Sequence, residues 1–558
     1  MGPGTSRMNA VVVRQTAQGL CRYLQQAAPE HLGRGGIVVG YDGRHGSHEF
    51  AHITAAVFAS QGVRVALFRR LVPTPFVAAG VAELGAAAGV MVTASHNPKE
   101  YNGYKVYWGN GCQIIPPHDA GIAAAIEANL EPWGPLPGLD SPELLSSPLL
   151  SDPWDRVSAA YFARLEHMRY LPAEGPQRAA ALAALGTPVY TPLHGVGKEA
   201  LLRAFQVLGL PAPYVVPEQA EPDPEFPTVV FPNPEEGKGT WSMTFQAGAA
   251  RGARLVLAND PDADRLCVAE AAAGAPGGWR VFSGNEIGAL LAHWVWSNFR
   301  ARHPEVPPSR CVMLASAVSS KLLGSMAAKE GFKFVETLTG FKWLGSTALH
   351  LERNEGYKVL FAFEEAIGFM LGDMYRDKDG ISAAGVFTEL AAHTYGSGRS
   401  LDELLHELYG LYGAHEYRSG YFIADRPEKS RAVFRELRGG VEAGASGASA
   451  EACRYAPSVA GVQVLHVRDL GTGLDTSTPD RTALLPWFPG DMMVTYALEG
   501  GATLTLRASG TEPKLKYYLE VKGADAAAAA ALADRLVGAI PEELVGLSRH
   551  GLSRPPPS

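Results

Sequence analysis

The chain has 558 residues, of which 46% are hydrophobic and 19% are charged, and its formal net charge is −8. This length exceeds what one hydrophobic core usually organises, so the sequence predicts three or four domains. We find no apolar run of the roughly 18 residues that a membrane-spanning helix needs, and the negative charge argues against general nucleic-acid binding. Five widely spaced cysteines without a CxxC pair, and an N-terminus without a secretion signal, predict free thiols and a cytosolic location.

The first 400 residues repeat one pattern of strands and helices. Short apolar runs at 36–40, 63–67 and 89–93 alternate with helix-like stretches, which is typical of a parallel sheet covered by helices. The pattern resumes at 187–191 and 254–258, and again after residue 286 with an almost wholly apolar helix over 287–296. Proline-rich connectors at 132–153 and 211–234 cannot supply central strands, because proline lacks the donor that a ladder requires. We therefore predict α/β domains over 1–150, 183–278 and 279–400.

The last part of the chain has a different character. Residues 439–451 are rich in glycine, alanine and serine, which predicts a flexible loop. Residues 514–521 alternate between polar and apolar side chains, as in a half-buried strand, and a helix capped by Asp525 is expected to follow as far as Ile540. These patterns predict a smaller C-terminal α+β domain over 415–545, with a disordered tail at 554–558.

Ser95 lies in the segment Thr-Ala-Ser-His-Asn-Pro, residues 93–98, directly after a buried strand. Open α/β sheets bind ligands at the carboxyl ends of their strands, so this serine is a candidate nucleophile. An ordinary turn serine is the alternative. A Ser–His hydrolase pair is disfavoured, because adjacent residues that leave a strand point in divergent directions and no GxSxG elbow surrounds Ser95. We expect His96 to act on the substrate instead.

Asp260, Asp262 and Asp264 place three carboxylates on alternate residues after another strand. The spacing matches the start of an EF-hand calcium loop, but the sixth position is Arg265, the twelfth is Ala271, and a strand rather than a helix precedes it. Three carboxylates without a complete protein cage suit Mg²⁺, and a phosphate on Ser95 would add a ligand. The alternative is a solvated acidic turn, which is disfavoured because three close aspartates repel one another.

Three further segments carry weaker signals. Residues 507–513, Arg-Ala-Ser-Gly-Thr-Glu-Pro, expose backbone N–H groups and hydroxyls, and Arg507 can bind two phosphate oxygens, although a plain hairpin loop fits too. Glu364 and Glu365 end an apolar run and suit sugar hydroxyls, although exposed glutamate pairs are common. Lys342 either presents a cation from a loop or is an ordinary solvated lysine, and the sequence by itself favours the second reading.

In this order and at these intervals, the segments resemble those of the α-D-phosphohexomutase superfamily, whose members have four domains around a central cleft. Residues 93–98 match its phosphoserine loop, 260–265 its metal loop, 364–368 its sugar-binding loop and 507–513 its phosphate-binding loop. The sugar loop reads Phe-Glu-Glu-Ala-Ile-Gly, which is similar to the eukaryotic branch of phosphopentomutases, phosphoglucomutases and glucose 1,6-bisphosphate synthases. Segments 102–108, 232–237, 339–343 and 377–380 also resemble that branch, so the resemblance covers nearly the whole chain.

The resemblance implies an enzyme that moves phosphate between C1 and C5 or C6 of ribose, deoxyribose or glucose monophosphates. The phosphate would pass through a phosphoserine and a sugar bisphosphate, with glucose 1,6-bisphosphate as the priming activator. The implied roles are Mg²⁺ binding by phosphorylated Ser95 with Asp260, Asp262 and Asp264; proton movement by His96 or Lys342; and substrate binding by Arg265, Glu364, Glu365, Arg507, Ser509, Gly510 and Thr511.

Two alternatives accompany this hypothesis. The first is a glucose 1,6-bisphosphate synthase that is loaded from 1,3-bisphosphoglycerate; Pro98 favours the mutase, because the synthase branch carries a basic residue at that place. The second is an inactive sugar-phosphate binder. It is motivated by the family's Gly-Thr-Ala/Ser-Gly-x-Arg segment, because this chain begins at Met1, just downstream of that segment, and Arg7 is not equivalent to its arginine.

Overall fold

The computed structural model describes residues 1–138, 141–235, 239–443, 450–509 and 513–555. The chain divides into two compact units. The first unit comprises Met1–Ser316 with Thr339–Leu405, and the second comprises Ala317–Leu338 with His406–Ser558. The first unit contains helices and mixed sheets, in which some strands are parallel and others antiparallel, and the second contains helices and an antiparallel sheet. The predicted fold class, three mixed α/β domains and a smaller α+β domain, is confirmed.

The first sheet of the first unit has the strand order β4-β3-β1-β2-β5. Its strands are β1 (Ile37–Tyr41), β2 (Val65–Leu67), β3 (Ala88–Val92), β4 (Tyr104–Trp108) and β5 (Leu150–Ser151). The helices of this region are α1 (Ala10–Ala27), α2 (Pro29–Gly35), α3 (Ser47–Ser60), α4 (Thr74–Leu84), α5 (His118–Glu127), α6 (Pro142–Leu145) and α7 (Trp154–His167). Strands β1 and β3 are parallel and buried along their whole length, which explains their uninterrupted apolar sequences.

The second sheet has the order β10-β9-β8-β6-β7. Its strands are β6 (Val189–Thr191), β7 (Tyr214–Val215), β8 (Leu255–Ala258), β9 (Cys267–Ala271) and β10 (Trp279–Phe282), and its helices are α8 (Pro176–Leu185), α9 (Gly197–Leu208) and α10 (Ser242–Arg251). Among the described residues, the strands that fall within the proline-rich connectors are β5 and β7, each two residues long and at the edge of its sheet. This placement agrees with the expectation that they supply no central strand.

The third region of the first unit contains β11 (Cys311–Ser316), β13 (Lys358–Glu364) and β14 (Gly368–Leu371). Strand β11 is parallel to β13, and β14 returns antiparallel to β13. The helices are α11 (Gly284–Arg302), α13 (Phe341–Arg353), α14 (Gly380–Gly396) and α15 (Leu401–Tyr412), of which α15 extends into the second unit. Helix α11 begins earlier than the predicted 287–296, because Ser283 and Glu286 form a capping box at its first turn.

The second unit is built on an antiparallel sheet of order β15-β21-β20-β19-β17-β16. The strands of this sheet are β15 (Ala414–Ile423), β16 (Ser458–Val459), β17 (Val462–Asp469), β18 (Leu474–Asp475), β19 (Met493–Leu498), β20 (Ala502–Ala508) and β21 (Lys514–Gly523). The unit also contains strand β12 (Lys333–Thr337), which is not part of this sheet, and the helices α12 (Leu322–Glu330), α16 (Pro427–Leu437) and α17 (Ala526–Ala539). Asp525 caps α17 as predicted, because its carboxylate accepts from the N–H groups of Ala527 and Ala528. Residues 444–449 of the predicted loop and 556–558 of the predicted tail lie outside the described residues.

The loops that carry the predicted chemistry in the first unit all follow the carboxyl ends of buried strands. Strand β3 leads into residues 93–98, β8 into 260–264, and β13 into 365–367. All five cysteines are buried, and none of them forms a disulfide bond. Among the described residues, no helix combines the length and the apolar character that crossing a bilayer requires.

Candidate active site

Ser95 faces the aspartates of the second sheet. Its Oγ donates a hydrogen bond of 2.8 Å to Oδ2 of Asp260, and its side chain is nearly buried, with 9% of the residue exposed. The backbone of Ser95 has φ of +52°, a left-handed conformation that non-glycine residues rarely adopt. The backbone N–H donates to Oγ1 of Thr93 at 2.9 Å, which helps to hold this turn. The serine is therefore fixed with its hydroxyl against the predicted metal loop.

Arg44 organises the serine loop through its carbonyl groups. One guanidinium nitrogen donates to the carbonyl oxygens of Ser95 and Asn97 at 2.5 and 2.6 Å, and another donates to that of Pro98 at 3.0 Å. The guanidinium is buried beside the carboxylate of Asp42, at 3.3 Å. Burial lowers the pKa of Arg44, and the negative charge of Asp42 offsets only part of this shift. The loop is thus held by a buried ion pair that follows strand β1.

The three aspartates of the metal loop are buried and converge. Asp260, Asp262 and Asp264 are each 0% exposed, and one carboxylate oxygen from each lies within 4.8 Å of the others. Thr74 donates to Oδ2 of Asp262 at 2.5 Å from its hydroxyl, and from its backbone N–H to the Asp262 carbonyl at 2.9 Å. The solvated acidic turn considered from the sequence does not describe this cluster.

Three cations offset the charge of the three aspartates. The Lys105 ammonium lies 2.6 Å from Oδ2 of Asp262 and 2.7 Å from Oδ2 of Asp264, and the Lys378 ammonium lies 3.0 Å from the latter atom. Nε of Arg265 is more distant, at 4.0 Å from Oδ1 of Asp264. Since like charges in a dry site repel strongly, the cluster depends on these cations in the absence of a bound metal.

The environment shifts the pKa values of these groups in opposite directions. Burial, together with repulsion from its two neighbours, raises the pKa of Asp260 well above the ordinary value. Burial also opposes ionisation of Asp262, but the ammonium of Lys105 and the hydroxyl of Thr74 hold its pKa below the ordinary value. Burial, and next the charge of Arg265, lower the pKa of His96 well below its usual range, so its imidazole is neutral.

The aspartate cluster fits a divalent cation. Oδ1 of Asp262 and Oδ1 of Asp264 are buried and accept no hydrogen bond from the part of the chain that the structure describes. Buried carboxylate oxygens without a donor are costly unless a cation binds them. Three oxygen ligands on one loop leave further coordination positions, which is the arrangement that Mg²⁺ uses when it shares its shell with phosphate. The donor set is thus suited to Mg²⁺.

The predicted sugar loop lies beside this cluster. Glu364 ends β13 and is 9% exposed, and burial raises its pKa although Lys378 and Arg265 oppose the shift. Glu365 is half-buried and accepts from the hydroxyl of Ser316 at 3.1 Å. Gly368 pairs with Arg265 through an isolated β-bridge, which joins the sugar loop to the metal loop. The structure therefore brings the two loops together.

Each of the three loops contains one non-glycine residue in the left-handed region. These residues are Ser95, Ala263 and Ile367, with φ of +52°, +55° and +52°. Such conformations cost free energy and persist where the surrounding structure enforces them, often at functional sites. One such residue occurs in each loop, which supports the interpretation that the three loops form a single functional site.

Lys342 is a predicted site residue that lies outside this cluster. Lys342 lies in the first turn of α13, and its ammonium is 5.7 Å from the ring centroid of Trp343; among the described residues it makes no contact with Ser95. Arg507 and Ser509 belong to the second unit, where Arg507 lies near the end of β20 and pairs with Met493 on β19 and Lys516 on β21. Gly510 and Thr511 lie outside the described residues.

The side chains of Ser95 and His96 lie closer together than the strand pattern predicts. Nδ1 of His96 lies 3.2 Å from Oγ of Ser95, so the two adjacent side chains do not diverge. The left-handed backbone of Ser95 removes the alternation of a strand, which was the basis of the expectation. Because the Ser95 hydroxyl donates to Asp260 instead, the arrangement still differs from a serine hydrolase, in which the histidine accepts that proton.

Sequence reasoning missed Arg44, Lys105 and Lys378 as site residues. The sequence does contain a signal for each of them: Arg44 lies in the loop after buried strand β1, and Lys105 and Lys378 lie within segments that carry the family resemblance. A single lysine in a strand or turn is usually solvated, so the sequence alone does not separate these two from the others.

Comparison with known proteins agrees with this geometry. Four domain families of phosphoglucomutase/phosphomannomutase match in order: alpha/beta/alpha domain I at residues 2–132, domain II at 183–274, domain III at 283–412 and the C-terminal domain at 492–539. A human phosphopentomutase is 45% identical over 529 residues, which are 93% of this chain and 83% of that protein. A human glucose 1,6-bisphosphate synthase is 40% identical over 567 residues, covering 99% and 87% of the two chains.

A solved structure shares the fold at low sequence identity. It is a phosphoglucomutase/phosphomannomutase family protein from Burkholderia thailandensis, with a TM-score of 0.63, 18% identity and coverage of 96% of this chain and 94% of that one. The domain matches and the identity to the human relatives are decisive, and they bear out the resemblance seen in the four loops. This chain belongs to the phosphoglucomutase/phosphomannomutase family.

Proposed function

We propose that the chain is a phosphomutase that moves phosphate between C1 and C5 of ribose or deoxyribose phosphates, and between C1 and C6 of glucose phosphates. The observation that carries the proposal is the 2.8 Å hydrogen bond from Ser95 to Asp260 within a buried trio of aspartates. Phosphorylation of a serine adds a charge of roughly −1.5 to −2. A divalent cation on the same aspartates offsets that charge, so both groups fit the site together.

The reaction exchanges one proton for one phosphoryl group. A sugar hydroxyl forms the new bond to phosphorus, the bond from phosphorus to Oγ of Ser95 breaks, and the hydroxyl proton ends on Oγ. His96 is our candidate for moving this proton, because its neutral imidazole lies 3.2 Å from Oγ. The second half of the reaction runs in reverse with the other phosphate of the sugar bisphosphate, so Ser95 is phosphorylated again.

The remaining groups position and neutralise the reactants. Asp260, Asp262 and Asp264 would hold Mg²⁺, which when bound withdraws charge from phosphoryl oxygens. Arg265, Lys105 and Lys378 supply positive charge near the transferring group, and Glu364 and Glu365 accept hydrogen bonds from sugar hydroxyls. Arg507, Ser509, Gly510 and Thr511 stay our proposed ligands of the phosphate that does not react. Lys342 has less support than His96 as the group that moves the proton, because the described residues include no contact between Lys342 and Ser95.

The resting enzyme requires a phosphoryl donor. We propose a sugar bisphosphate such as glucose 1,6-bisphosphate, because it can phosphorylate Ser95 without any new chemistry. The human phosphopentomutase favours the mutase over the synthase, since it is 45% identical and the synthase 40%. A cytosolic location remains a prediction that the five free thiols support.

The test is a substrate panel with the purified chain and Mg²⁺. Ribose 1-phosphate and glucose 1-phosphate are each supplied with a trace of glucose 1,6-bisphosphate, and 1,3-bisphosphoglycerate is supplied with glucose 1-phosphate. We expect conversion to ribose 5-phosphate and glucose 6-phosphate that Ser95→Ala abolishes. Faster synthesis of glucose 1,6-bisphosphate than isomerisation would favour the synthase. Binding of sugar phosphates without turnover would identify the inactive binder.

A further inference from the structure

A turn of three residues brings Lys378 to the metal loop. This turn, Asp377-Lys-Asp379, connects the region after β14 to the start of α14 and is buried throughout. The Lys378 ammonium lies 3.0 Å from Oδ2 of Asp264. A lysine has four flexible side-chain torsions, so its tip is held there only if the backbone beneath it is fixed. We refer to residues 377–379 as the lysine turn.

Two buried tyrosines bind the aspartates on either side of Lys378. The Tyr107 hydroxyl donates to Oδ2 of Asp377 at 2.6 Å, and the Tyr161 hydroxyl donates to Oδ2 of Asp379 at 2.6 Å. Both tyrosines are 0% exposed. Hydrogen bonds from a hydroxyl to a carboxylate are short and strong, particularly where water is excluded.

The second oxygen of each aspartate accepts from a backbone N–H of its own segment, and the Asp377 carboxylate also accepts from the side-chain amide of Gln113, at 3.2 Å on Oδ1 and 3.0 Å on Oδ2. Oδ1 of Asp377 accepts from the backbone N–H of Lys378 at 2.9 Å. Oδ1 of Asp379 accepts from the N–H groups of Ile381 and Ser382 at 3.0 and 3.1 Å, and so begins helix α14. Each aspartate therefore joins the backbone of the lysine turn to a tyrosine that comes from a distant part of the chain.

The tyrosines are themselves fixed, and one of them shares a strand with a site lysine. Tyr107 and Lys105 lie two residues apart on β4, so their side chains leave the same face. Lys105 contacts Asp262 and Asp264, while Tyr107 contacts the lysine turn. The ring of Tyr161, on α7, stacks against Phe76 with ring centroids 4.6 Å apart. Strand β4 thus places one cation directly and helps to place a second.

We propose that Tyr107 and Tyr161 are positioning residues that hold the lysine turn and thereby fix the Lys378 ammonium beside Asp264. This inference rests on the proposed phosphomutase function, in which Lys378 stabilises charge on the transferring phosphoryl group. Neither tyrosine touches the reacting atoms. Both act through the backbone of the turn, so their removal lowers the rate of the chemical step more than it weakens substrate binding.

The first test compares single hydroxyl deletions. We expect Tyr107→Phe and Tyr161→Phe each to lower kcat by about tenfold while KM changes by less than about twofold. The matched control is Tyr496→Phe, which removes a buried hydroxyl of the second unit that has no hydrogen-bond partner among the described residues. We expect this control to keep the wild-type kcat. Thermal unfolding of every variant confirms that it is folded at the assay temperature.

The second test asks whether Tyr107 acts through Lys378. In a Lys378→Met background, we expect Tyr107→Phe to change kcat by less than about twofold, because the group that it positions is already absent. If Lys378→Met does not fold, Lys378→Gln takes its place. An equal loss of kcat from Tyr107→Phe in both backgrounds would overturn the inference, since the tyrosine would then act only on general stability.

Different results would refute the phosphomutase function and the positioning role of the two tyrosines. A wild-type chain that turns over no sugar phosphate in the substrate panel refutes the proposed function, and the inference falls with it. A wild-type chain that is active, with both Tyr→Phe variants at the wild-type kcat, refutes only the positioning role.

Discussion

The metal loop in the first unit and the Arg507 loop in the second carry their charges in different ways. The carboxylates of Asp260, Asp262 and Asp264 are fully buried, and lysine ammonium groups lie within 3.0 Å of two of them. Arg507 is half-buried at the end of β20, where it partly opposes the effect of burial that raises the pKa of Asp491.

The two loops differ in whether their charged groups are arranged before the ligand binds. A buried cluster is arranged by the protein before any ligand arrives, and its interactions are strong because water does not screen them. A half-exposed arginine exchanges water for phosphate only on binding. We therefore expect changes in the metal loop to act mainly on kcat and changes at Arg507 to act mainly on KM.

Ser95→Ala is expected to have the largest effect. Without the hydroxyl there is no acceptor for the phosphoryl group, so phosphate incorporation should vanish and kcat should fall by at least about 10³-fold. Intact-protein mass spectrometry after incubation with glucose 1,6-bisphosphate measures the incorporation. The control is Ser397→Ala, which removes an exposed hydroxyl after α14. Unchanged phosphate incorporation in the Ser95 variant would show that the phosphoryl group is carried elsewhere.

Asp260→Asn tests whether buried charge in the metal loop serves catalysis rather than stability. The amide keeps an oxygen for the backbone N–H of Arg265 but removes one of three repelling charges. We expect kcat to fall by about 10²- to 10³-fold, whereas the unfolding temperature in the presence of a chelator should equal or exceed that of the wild type. Thermal unfolding with EDTA and with Mg²⁺ measures this. A chelated variant that is clearly less stable than the wild type would contradict the charge argument.

Arg507→Met examines the other side of the comparison. If Arg507 binds two oxygens of the nonreacting phosphate, as we propose, its replacement should raise KM by about 10- to 100-fold and change kcat much less. Arg507→Lys should recover part of the loss, because an ammonium supplies charge without the paired geometry. Arg481→Met, an exposed arginine of the second unit, is the control. A fall in kcat at constant KM would mean that Arg507 acts on the chemical step.

The sequence alone predicted the loops of the site but not the groups that hold them. Ser95 and the aspartates were found because each follows an apolar strand, and the carboxyl ends of such strands are where ligands bind. Strand positions were close as well: the run at 89–93 became Ala88–Val92, and 254–258 became Leu255–Ala258. These features depend on local periodicity, which a single sequence displays.

The remaining features depend on contacts between distant residues. Lys105 reaches Asp262 across 157 positions, and Tyr107 reaches Asp377 across 270. No local pattern distinguishes such a lysine or tyrosine from a solvated one or one in the core. The contact between His96 and Ser95 was missed for another reason, because it needs a left-handed backbone at Ser95 that the strand pattern does not predict.

Glu389 is a buried carboxylate that accepts hydrogen bonds from backbone N–H groups, whereas the aspartates of the metal loop contact lysines. It lies in α14, is 0% exposed, and accepts from the N–H groups of Tyr170 and Leu171 at 3.0 and 3.1 Å. Burial raises its pKa to about 7, although these two hydrogen bonds and the charges of Arg178 and Arg169 oppose the shift. This residue therefore separates the effect of burial from that of metal binding.

The smallest expected effect is a pH dependence of stability at Glu389. Because the folded-state pKa of about 7 lies above the ordinary 4.5, the contribution of Glu389 to stability is complete below pH 4.5 and is lost as the pH rises through 7. Glu389→Gln does not titrate, so its stability relative to the wild type should improve by up to about 3 kcal/mol between pH 4.5 and 8.

Thermal unfolding of the wild type and of Glu389→Gln across this pH range measures the change. The control is Glu127→Gln, at an exposed position that ends α5. Any constant offset from placing an amide beside two N–H donors cancels, because only the slope with pH is compared. Parallel profiles would mean that the two N–H groups and the nearby arginines fully offset the burial of the Glu389 carboxylate, so that its pKa is not raised in the folded protein.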